Sequence, residues 1–383
     1  MRIALFSDTY LPQVNGVAMT LGRLTRHLER RSVPFEVFVP DGEGEAADAD
    51  PIHRFASLPF FLYPDCRMAF PFPHAVGKRL RQFRPDLLHL ATPFNMGLCG
   101  LHYGKKLGIP RVASYHTHFD RYLSYYRLGF AGRWIWRYLR WFHRTCRLTF
   151  APSEETRQHL LRHGIGPVEL WKRGVDNALF HPGRRNAGLR GRYGIREPYV
   201  LLYAGRLAPE KDLDLLPDAA AMLPEDLAGR IRWLIVGEGP LEEMLRQRMP
   251  KNTTFAGFLA GESLAEAYAS SDLLVFPSGT ETFGNVVLEA HASGLPVLSV
   301  RSGGVQEIVR DGVTGRLCAP RCAEALASGI RELLGAADTL AAMGRNGRRY
   351  ALTQSWDAIF DRLLEQYERA AVAAAPEWRP TTA

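Results

Sequence analysis

The segment Leu273–Val300 has the sequence LLVFPSGTETFGNVVLEAHASGLPVLSV. Two short apolar runs, Leu273–Phe276 and Val297–Val300, lie on either side of a glycine-rich loop and a helix-compatible stretch. Continuous apolar runs of this length are typical of strands that are buried on both faces of a parallel sheet. Because parallel strands are joined by a crossover helix, the segment predicts one strand–helix–strand unit.

The same alternation runs along the whole chain. Further strands are predicted at the apolar runs Ile3–Phe6, Phe35–Val39, Leu87–Leu90, Val112–Tyr115, Val200–Ala204 and Trp233–Val236. A helix-compatible stretch follows each run, so the chain predicts an α/β fold in which helices cover both faces of parallel sheets.

The alternation restarts after the polar segment Pro182–Gly188, which is rich in glycine and arginine. We therefore predict two Rossmann-like domains that face a cleft, with ligands at the carboxyl ends of their strands. A long helical pattern follows the second domain, and we expect this helix to cross back to the first. The predicted segments are residues 1–183 (first domain), 189–355 (second domain), 356–374 (C-terminal helix) and 375–383 (disordered tail).

The composition is that of a globular protein, with 46% hydrophobic and 23% charged residues among 383. No apolar run approaches the ~18 residues of a membrane span, and five scattered cysteines argue against a disulfide framework. We therefore expect a cytoplasmic protein.

Through Gly183 the chain has 25 Lys and Arg against 15 Asp and Glu, a net charge of +10, compared with −2 for the remainder. The first half is thus expected to present a basic surface to an anionic partner.

Two cations follow the predicted strand Val200–Ala204. Gly205 allows the chain to turn, and Arg206 and Lys211 then lie at the carboxyl end of the strand. Two cations in this place suit a diphosphate group. The alternative is a surface salt bridge between Lys211 and its sequence neighbours, Glu210 or Asp212.

Two glutamates, Glu281 and Glu289, lie eight positions apart around the turn Thr282–Asn285. Glu289 follows the apolar residues Val286–Leu288, and a carboxylate buried there needs a partner. The loop also opens a helix, whose first N–H groups form an anion site. We interpret the combination as a site for a sugar joined to a diphosphate. The alternative is a pair of solvated surface charges.

The turn Val236–Pro240 would let the backbone approach a ligand closely, although packing between a helix and a strand also favours glycine. The turn lacks the GxGxxG spacing of nicotinamide-binding proteins, so a dehydrogenase is not indicated.

Two loops in the first half carry further candidate residues. After the first predicted strand, a loop with an Asn-Gly pair places Gly16 where its backbone could contact a phosphate or an acceptor. The fourth predicted strand delivers His116, His118 and Asp120 at its carboxyl end. Two histidines and a carboxylate at one strand end favour a site role over a purely structural one.

The segment Arg121–Arg147 is rich in arginine and has no acidic residue. Spacings of four, three, four and three residues predict one face of a helix, occupied by Arg133, Arg137, Arg140, Arg144 and Arg147. Trp134 and Trp141 lie on a neighbouring stripe. A basic helix rich in aromatic residues is typical of proteins at membrane surfaces. The alternative is that the aromatic residues pack into the first domain while the arginines are solvated. Nucleic acid is not indicated, since no binding motif accompanies the arginines.

Five motifs occur in the order of a known family. They are PQVNG (12–16), SYHTHFDRY (114–122), GRLAPEK (205–211), VGEGP (236–240) and ETFGNVVLE (281–289). On these motifs, which extend over nearly all of the chain, it resembles the retaining glycosyltransferases of family 4, and Glu281 and Glu289 match the family's E-x7-E motif. The resemblance implies the two-domain architecture called GT-B.

The resemblance implies a role for each matching residue. Arg206 and Lys211 would bind the donor diphosphate, and Glu289 would hold the nucleotide ribose. Glu281 would hold hydroxyls of the transferred sugar, and His116 would contact that sugar near the reacting carbon. The other implied donor-binding residues are Gly16 at the phosphates, Gly257, Phe258 and Leu259 near the base, and the backbone N–H groups of Phe283, Gly284 and Asn285 at the diphosphate. The implied catalytic residues are His116, Arg206, Lys211 and Glu281.

The resemblance also implies the chemistry. We expect retention by a front-face route in which the leaving phosphate takes the acceptor proton; a covalent route through Glu281 is the alternative. No metal and no cofactor are expected, because Arg206 and Lys211 would neutralise the charge that grows on the diphosphate.

Within the family, SYHTHFDRYLSYYRLG (114–129) and WRYLRWFHR (136–144) resemble members that glycosylate lipids. These include GDP-mannose-dependent α-mannosyltransferases and sulfoquinovosyl-diacylglycerol synthases. We therefore expect mannose transfer from GDP-mannose to a membrane glycolipid, by a peripheral protein on the inner face of the cell membrane. The residues expected to meet the acceptor or an anionic membrane surface are His118, Asp120, Arg121, Arg133, Arg137, Arg140, Arg144, Trp134 and Trp141.

Other functions remain as alternatives. The nearest is a UDP-sugar-dependent transferase of glucosyl, N-acetylhexosaminyl or sulfoquinovosyl groups. A sugar-nucleotide epimerase would not need the basic aromatic helix. A non-catalytic glycan- or membrane-binding protein would be expected to have lost one of Arg206, Lys211, Glu281 or Glu289, and all four are present.

Overall fold

The computed structural model describes residues 1–13, 15–41, 51–59, 67–71, 73–116 and 132–372. The chain divides into two compact units, Met1–Lys172 with Asp357–Ala383, and Arg173–Trp356. Each unit is built on a parallel sheet with helices between its strands. The predicted α/β class with two Rossmann-like domains is confirmed.

The first unit contributes the earlier strands and helices. Its described strands are β1 Ile3–Phe6, β2 Phe35–Pro40, β3 Ile52–Phe55, β4 Ser57–Pro59, β5 Arg67–Ala69, β6 Leu87–Leu90, β7 Arg111–Ser114, β8 Leu148–Ala151 and β9 Val168–Leu170. Its described helices are α1 Gly16–Arg30, α2 Pro73–Phe83, α3 Asn95–Lys106, α4 Gly132–Arg144, α5 Glu154–Arg162 and the C-terminal helix Trp356–Val372.

The main sheet of the first unit has the strand order β3-β2-β1-β6-β7-β8-β9 within the described residues, and all neighbours are parallel. Every residue of β1, β2 and β6 is buried, which explains why these strands are apolar apart from Glu36 and His89. The chain builds outward from β1 to β3 and then returns to β6 on the other side of β1. This reversal opens a crevice at the carboxyl ends of β1 and β6.

Asp8, directly after β1, is fully buried and joins the two strands at this crevice. Its carboxylate accepts hydrogen bonds from the backbone N–H of Met96 at 2.7 Å and from the hydroxyl of Thr92 at 2.5 Å. Met96 lies in the first turn of α3, whose N–H groups have no partner within the helix. Burial nevertheless raises the pKa of Asp8 to about 6.

The C-terminal helix belongs to the first unit. It buries one face, made of Phe360, Leu363, Tyr367 and Ala370. Near its start, the imidazole of His27 lies between the carboxylates of Asp357 and Asp361, at 3.0 and 2.9 Å. Near its end, the guanidinium of Arg147 donates to the carbonyls of Ala370 and Ala371, at 2.7 and 3.0 Å.

The second unit contains the later strands and helices. Its described strands are β10 Tyr199–Ala204, β11 Ile231–Val236, β12 Thr253–Gly257, β13 Leu273–Phe276, β14 Val297–Val300 and β15 Gly315–Cys318. Its described helices are α6 Ala187–Arg192, α7 Leu215–Ala221, α8 Glu225–Ala228, α9 Glu242–Arg248, α10 Gly261–Ser270, α11 Asn285–Ala292, α12 Val305–Ile308, α13 Ala323–Leu334 and α14 Ala337–Leu352.

The sheet of the second unit has the order β12-β11-β10-β13-β14-β15, again parallel throughout. The strand order reverses between β10 and β13, so the loops that follow these two strands meet at the carboxyl edge. The division between the units falls before Arg173, ahead of the predicted break at Pro182–Gly188. The reason is that Val175 and Phe180 are buried in the core of the second unit.

The raised pKa of Asp8 predicts a pH dependence of stability. The folded protein holds the Asp8 proton more tightly than the unfolded chain, so this stabilisation is complete below the unfolded pKa and is lost as pH rises through about 6. The amide in Asp8→Asn keeps an acceptor for Met96 but does not titrate. We expect the difference in Tm, wild type minus Asp8→Asn, to fall between about pH 5 and about pH 7.5.

Thermal unfolding across this pH range tests the prediction. Asp226→Asn, a substitution of an exposed aspartate, is the matched control and should give a flat difference. A flat or rising difference for Asp8→Asn would contradict the assigned titration.

Candidate active site

Lys211 and Glu281 meet at the reversal point of the second sheet. Lys211 ends a short 3-10 turn, Pro209–Lys211, in the loop after β10, and Glu281 lies in the loop after β13. The Nζ of Lys211 is 2.5 Å from the Oε1 of Glu281. The alternative pairing of Lys211 with Glu210 or Asp212 is therefore wrong. These neighbours bond elsewhere: Glu210 binds Arg206, and Asp212 accepts from the backbone N–H of Gly279.

The Lys211–Glu281 pair remains partly open to solvent. The two side chains are 18% and 17% exposed. Glu281 also accepts a hydrogen bond from the hydroxyl of Ser278 at 3.1 Å. A partly exposed pair of this kind leaves both charges accessible to an incoming polar ligand.

Arg206 is held differently. Its guanidinium lies 2.5 Å from the Oε1 of Glu210, and Glu210 is completely buried. A buried carboxylate is costly unless it is paired, so Glu210 fixes the guanidinium in place. Glu210 belongs to the motif GRLAPEK and precedes Lys211 in the sequence. Its position there did not indicate that it pairs with Arg206.

The loop that carries Glu281 is braced by the loop after β14. The hydroxyl of Ser302 donates to the carbonyl of Gly279 at 2.7 Å, and the N–H of Gly304 donates to the carbonyl of Glu281 at 2.8 Å. Gly303 has φ +58°, and a Cβ there would lie 2.3 Å from the carbonyl oxygen of Glu281. Sequence reasoning missed this support, for which the pair Gly303-Gly304 after a predicted strand was the available signal.

Helix α11 begins at Asn285, the last residue of the predicted turn. Gly284 precedes it with φ +106°, and no side chain of the described residues caps this end. The N–H groups of Val287 and Leu288 donate to the carbonyl of Gly284, at 3.0 and 3.3 Å, so the two N–H groups before them are the ones this uncapped start offers to a ligand. Such a helix start favours an anion.

Glu289 lies in the fifth position of α11 and is half-buried, less buried than its apolar neighbours suggested. Its Oε2 accepts a hydrogen bond from the hydroxyl of Tyr268 on α10 at 3.1 Å. Burial and the negative charge of Glu289 raise the pKa of Tyr268 well above its usual range, so the phenol stays protonated and donates. Tyr268 was not predicted, because nothing in the sequence pairs α10 with α11.

The loops after β10, β11 and β12 are joined to one another. A Cβ at Gly237, which has φ +129°, would lie 1.9 Å from the carbonyl oxygen of Gly205. Position 237 therefore has to be glycine, because any side chain there would collide with the backbone of the loop after β10. The third loop, Gly257–Leu259, exposes the ring of Phe258, and the N–H of Phe258 donates to Glu238 at 3.2 Å.

The first unit places two of the predicted residues at the carboxyl edge of its own sheet. Gly16 is exposed at the first position of α1, and the side chain of Asn15 caps the helix by accepting from Val17 and Ala18 at 3.1 and 2.9 Å. His116 follows β7, half-buried, with its ring centroid 5.4 Å from that of Trp171. The predicted residues His118, Asp120 and Arg121 lie outside the described residues.

Helix α4 divides its aromatic residues between two faces. Trp136, Leu139 and Phe142 are buried, whereas Trp134 and Trp141 are 70% and 53% exposed. The outer face also carries arginines: Arg133, Arg137 and Arg144 are exposed and Arg140 is half-buried. The guanidinium of Arg137 lies 5.9 Å from the ring centroid of Trp134. The aromatic residues of this helix thus pack into the first unit only in part, and Trp134 and Trp141 stay exposed.

The predicted arginine face is too long by one residue. Helix α4 ends at Arg144, and Arg147 lies just before β8, where it binds the C-terminal helix. Within the described part of the chain, no helix combines the length and the apolar character needed to span a membrane.

Comparison with known proteins places this geometry in a family. Residues 14–179 match the family described as Glycosyltransferase Family 4, and residues 189–350 match Glycosyl transferases group 1. The GDP-mannose-dependent alpha-mannosyltransferase of Mycobacterium tuberculosis is 37% identical over 379 residues, which are 96% of each chain. The chain belongs to glycosyltransferase family 4. Both the resemblance found in the sequence and the prediction of an enzyme are confirmed.

Other relatives of this glycosyltransferase have different names. Sulfoquinovosyl transferase SQD2 of Arabidopsis thaliana is 33% identical, and the match covers 96% of this chain and 74% of the length of SQD2. Alpha-monoglucosyldiacylglycerol synthase of Streptococcus pneumoniae is 30% identical, over 83% of this chain and 75% of its own.

The glycosyltransferase also resembles solved structures. The crystal structure of Anabaena HepE in complex with UDP superimposes with a TM-score of 0.77 and covers 96% of this chain and all of that one. At 22% identity this likeness shows the fold alone, which is the predicted GT-B fold.

Lys211→Ala tests the role of the cation in the glycosyltransferase. We expect turnover to fall about 100-fold or more, since a cation at a leaving group stabilises the charge that grows there in the transition state. We expect Tm to change by only a few degrees, because the pair with Glu281 is partly solvated. Steady-state rates and thermal melts give both values.

Lys251→Ala, which removes an exposed lysine of the same unit, is the matched control. Turnover of Lys211→Ala equal to that of this control would contradict a role in catalysis.

Proposed function

We propose that this glycosyltransferase transfers mannose from GDP-mannose to a membrane glycolipid and retains the anomeric configuration. The observation that carries the proposal is the pairing of Lys211 with Glu281, in the loop that leads into the uncapped start of α11. This set offers a cation and helix N–H groups to a diphosphate and a carboxylate to sugar hydroxyls. The mannosyl donor is supported by relatives named GDP-mannose-dependent alpha-mannosyltransferase over 96% of this chain.

The donor breaks at the bond between the anomeric carbon and the diphosphate oxygen. The electron pair of this bond leaves with the oxygen, so negative charge grows on the diphosphate while the sugar becomes oxocarbenium-like. Arg206, fixed by Glu210, and Lys211 stabilise the growing charge together with the N–H groups of α11. We infer that Lys211 turns from Glu281 to the phosphate when the donor binds. Two cations supply the charge, so the proposed reaction needs no metal.

The acceptor completes the exchange on the same face of the sugar. The oxygen of its hydroxyl forms the new bond to the anomeric carbon, and its proton passes to the leaving phosphate oxygen. Glu281 then serves as a hydroxyl ligand and does not form an adduct. His116 contacts the transferred sugar near the reacting carbon, which is the role that the family resemblance implies.

Helix α4 is the proposed contact with the membrane. Trp134 and Trp141 expose apolar rings on the same helix as exposed Arg133, Arg137 and Arg144. Rings of this kind partition into the interface of a bilayer, and arginines bind anionic headgroups. The relative named alpha-monoglucosyldiacylglycerol synthase supports a lipid acceptor. The enzyme would then act as a peripheral protein on the inner face of the cell membrane.

The donor is tested first, by calorimetric titration of the purified enzyme with GDP and with UDP. We expect GDP to bind at least about tenfold more tightly, a difference of ~1.4 kcal/mol. Incubation with GDP-mannose and a total lipid extract should then give a mannolipid that an α-mannosidase cleaves. Tighter binding of UDP would contradict the mannosyl donor and favour the UDP-sugar transferase.

Vesicle sedimentation tests the membrane contact. Replacing Trp134 and Trp141 together by Ser should weaken binding to vesicles of phosphatidylcholine and phosphatidylglycerol about tenfold or more. Binding by the wild type should also fall with added salt, because salt screens the arginines.

Leu352→Ser is the matched control, since it removes an exposed apolar side chain from the second unit. Unchanged binding by the double tryptophan variant would exclude α4 as the membrane contact. Binding that is insensitive to salt would exclude the arginines from it.

A further inference from the structure

Five buried side chains form a cluster at the carboxyl edge of the first sheet, which we call the His89 cluster. Its members come from successive strands and from the C-terminal helix, and each is at most 2% exposed. They are His89 of β6, Ser114 of β7, Phe150 of β8, Trp171 directly after β9, and Tyr367 of the C-terminal helix. Of these five residues only Ser114 lies in a motif of the family resemblance, SYHTHFDRY (114–122).

Both ring nitrogens of His89 are hydrogen-bonded. Its Nδ1 is 2.6 Å from the hydroxyl oxygen of Tyr367, and its Nε2 bonds to the hydroxyl of Ser114. Burial raises the pKa of Tyr367 well above its usual range, so the phenol stays neutral. A hydroxyl can donate or accept, so either neutral tautomer of His89 satisfies both bonds. The orientation of the imidazole is therefore fixed from two sides.

Trp171 contacts both this fixed imidazole and the imidazole of His116. Its ring centroid is 5.5 Å from that of His89 and 5.4 Å from that of His116, and both contacts are edge-on. The backbone N–H of Trp171 donates to the carbonyl of Ala151 at 2.8 Å, which continues the pairing of β9 with β8. Edge-on packing of aromatic rings is directional. The position of the indole therefore sets the tilt available to the ring of His116.

The polar atoms of the cluster are the reason to assign it a positioning role and not only a role in core packing. Burying a histidine and two hydroxyls costs free energy unless each finds a partner, whereas apolar side chains of similar volume would fill the same space. Unlike apolar contacts, the hydrogen bonds of the cluster are directional, so they allow only one arrangement of its side chains. Tyr367 also contacts Phe150, at 5.8 Å between centroids, so the C-terminal helix closes the cluster.

We propose that His89 and Tyr367 are positioning residues that hold Trp171 as a platform for the imidazole of His116. The C-terminal helix thereby sets the geometry of a residue in the sugar site. The proposal rests on the proposed function, because the contact of His116 with the transferred sugar belongs to it.

The first test observes His116 directly and does not depend on activity. The ring protons of His116, assigned by their absence in His116→Asn, are recorded by NMR in the full-length protein. The indole of Trp171 shifts their resonances through its ring current, so Tyr367→Phe should move them. Tyr103→Phe, which alters another buried tyrosine of the first unit, should leave them in place. Unmoved resonances in Tyr367→Phe would overturn the proposal.

The second test measures turnover. We expect Tyr367→Phe to lower kcat about tenfold while KM for the donor stays within about twofold, because a small misplacement slows chemistry more than binding. Tyr103→Phe should change neither value. A moved resonance with unchanged kcat would support the platform and contradict the role assigned to His116, which is a failure of the proposed function.

The third test compares two substitutions of Trp171. Phe and Leu are both smaller than Trp, so both should leave a cavity and lower Tm, and Leu should do so more. Only Phe keeps an aromatic edge against His116. We expect Trp171→Phe to retain a kcat roughly tenfold above that of Trp171→Leu. Equal losses in the two variants would mean that Trp171 is a packing residue, which would overturn the proposal.

Discussion

Burial of both faces of each sheet is the constraint on which the rest of this molecule depends. Strands such as β6, β10 and β13 are covered by helices on either side, so a polar side chain within them has no access to water. These three strands contain no charged residue, and the charged groups of the candidate site lie in the loops that follow the strands. Because the strands are parallel, the loops that can hold a ligand all leave from the same edge, and the reversal of strand order decides which of them meet.

At the reversal point of the second sheet, two cations are kept by carboxylates in two different ways. Glu210 is completely buried and cannot exchange Arg206 for water without a large desolvation cost, so that guanidinium is pre-organised. The pair of Lys211 and Glu281 is partly exposed, and its strength is correspondingly modest. One cation is thus fixed and the other exchangeable. In the proposed function, this difference lets Lys211 turn to the donor phosphate while Arg206 stays in place.

The sequence predicts which residues form this site better than it predicts which of them contact one another. Apolar runs locate the strands, and Arg206, Lys211, Glu281 and the start of α11 follow from where those runs end. The pairing of Lys211 with Glu281 does not follow, because it requires β13 to lie beside β10 instead of beside β12, which precedes it in sequence. The regular spacing of the arginines likewise predicted that the arginine face of α4 extends to Arg147. This was wrong because spacing alone does not show where a helix ends.

The C-terminal helix shows why some polar groups are buried despite the constraint. His89 lies within a strand whose every residue is buried, and it is tolerated there because Tyr367 and Ser114 satisfy its ring. A buried hydrogen bond contributes only about 1 kcal/mol, but leaving the same groups unpaired costs about 1–3 kcal/mol each. A helix shifted by one turn would incur that cost at His89 and lose the carboxylates around His27 and the carbonyls that bind Arg147. Contacts near its start, beyond its middle and at its end therefore specify a single docking position for the helix.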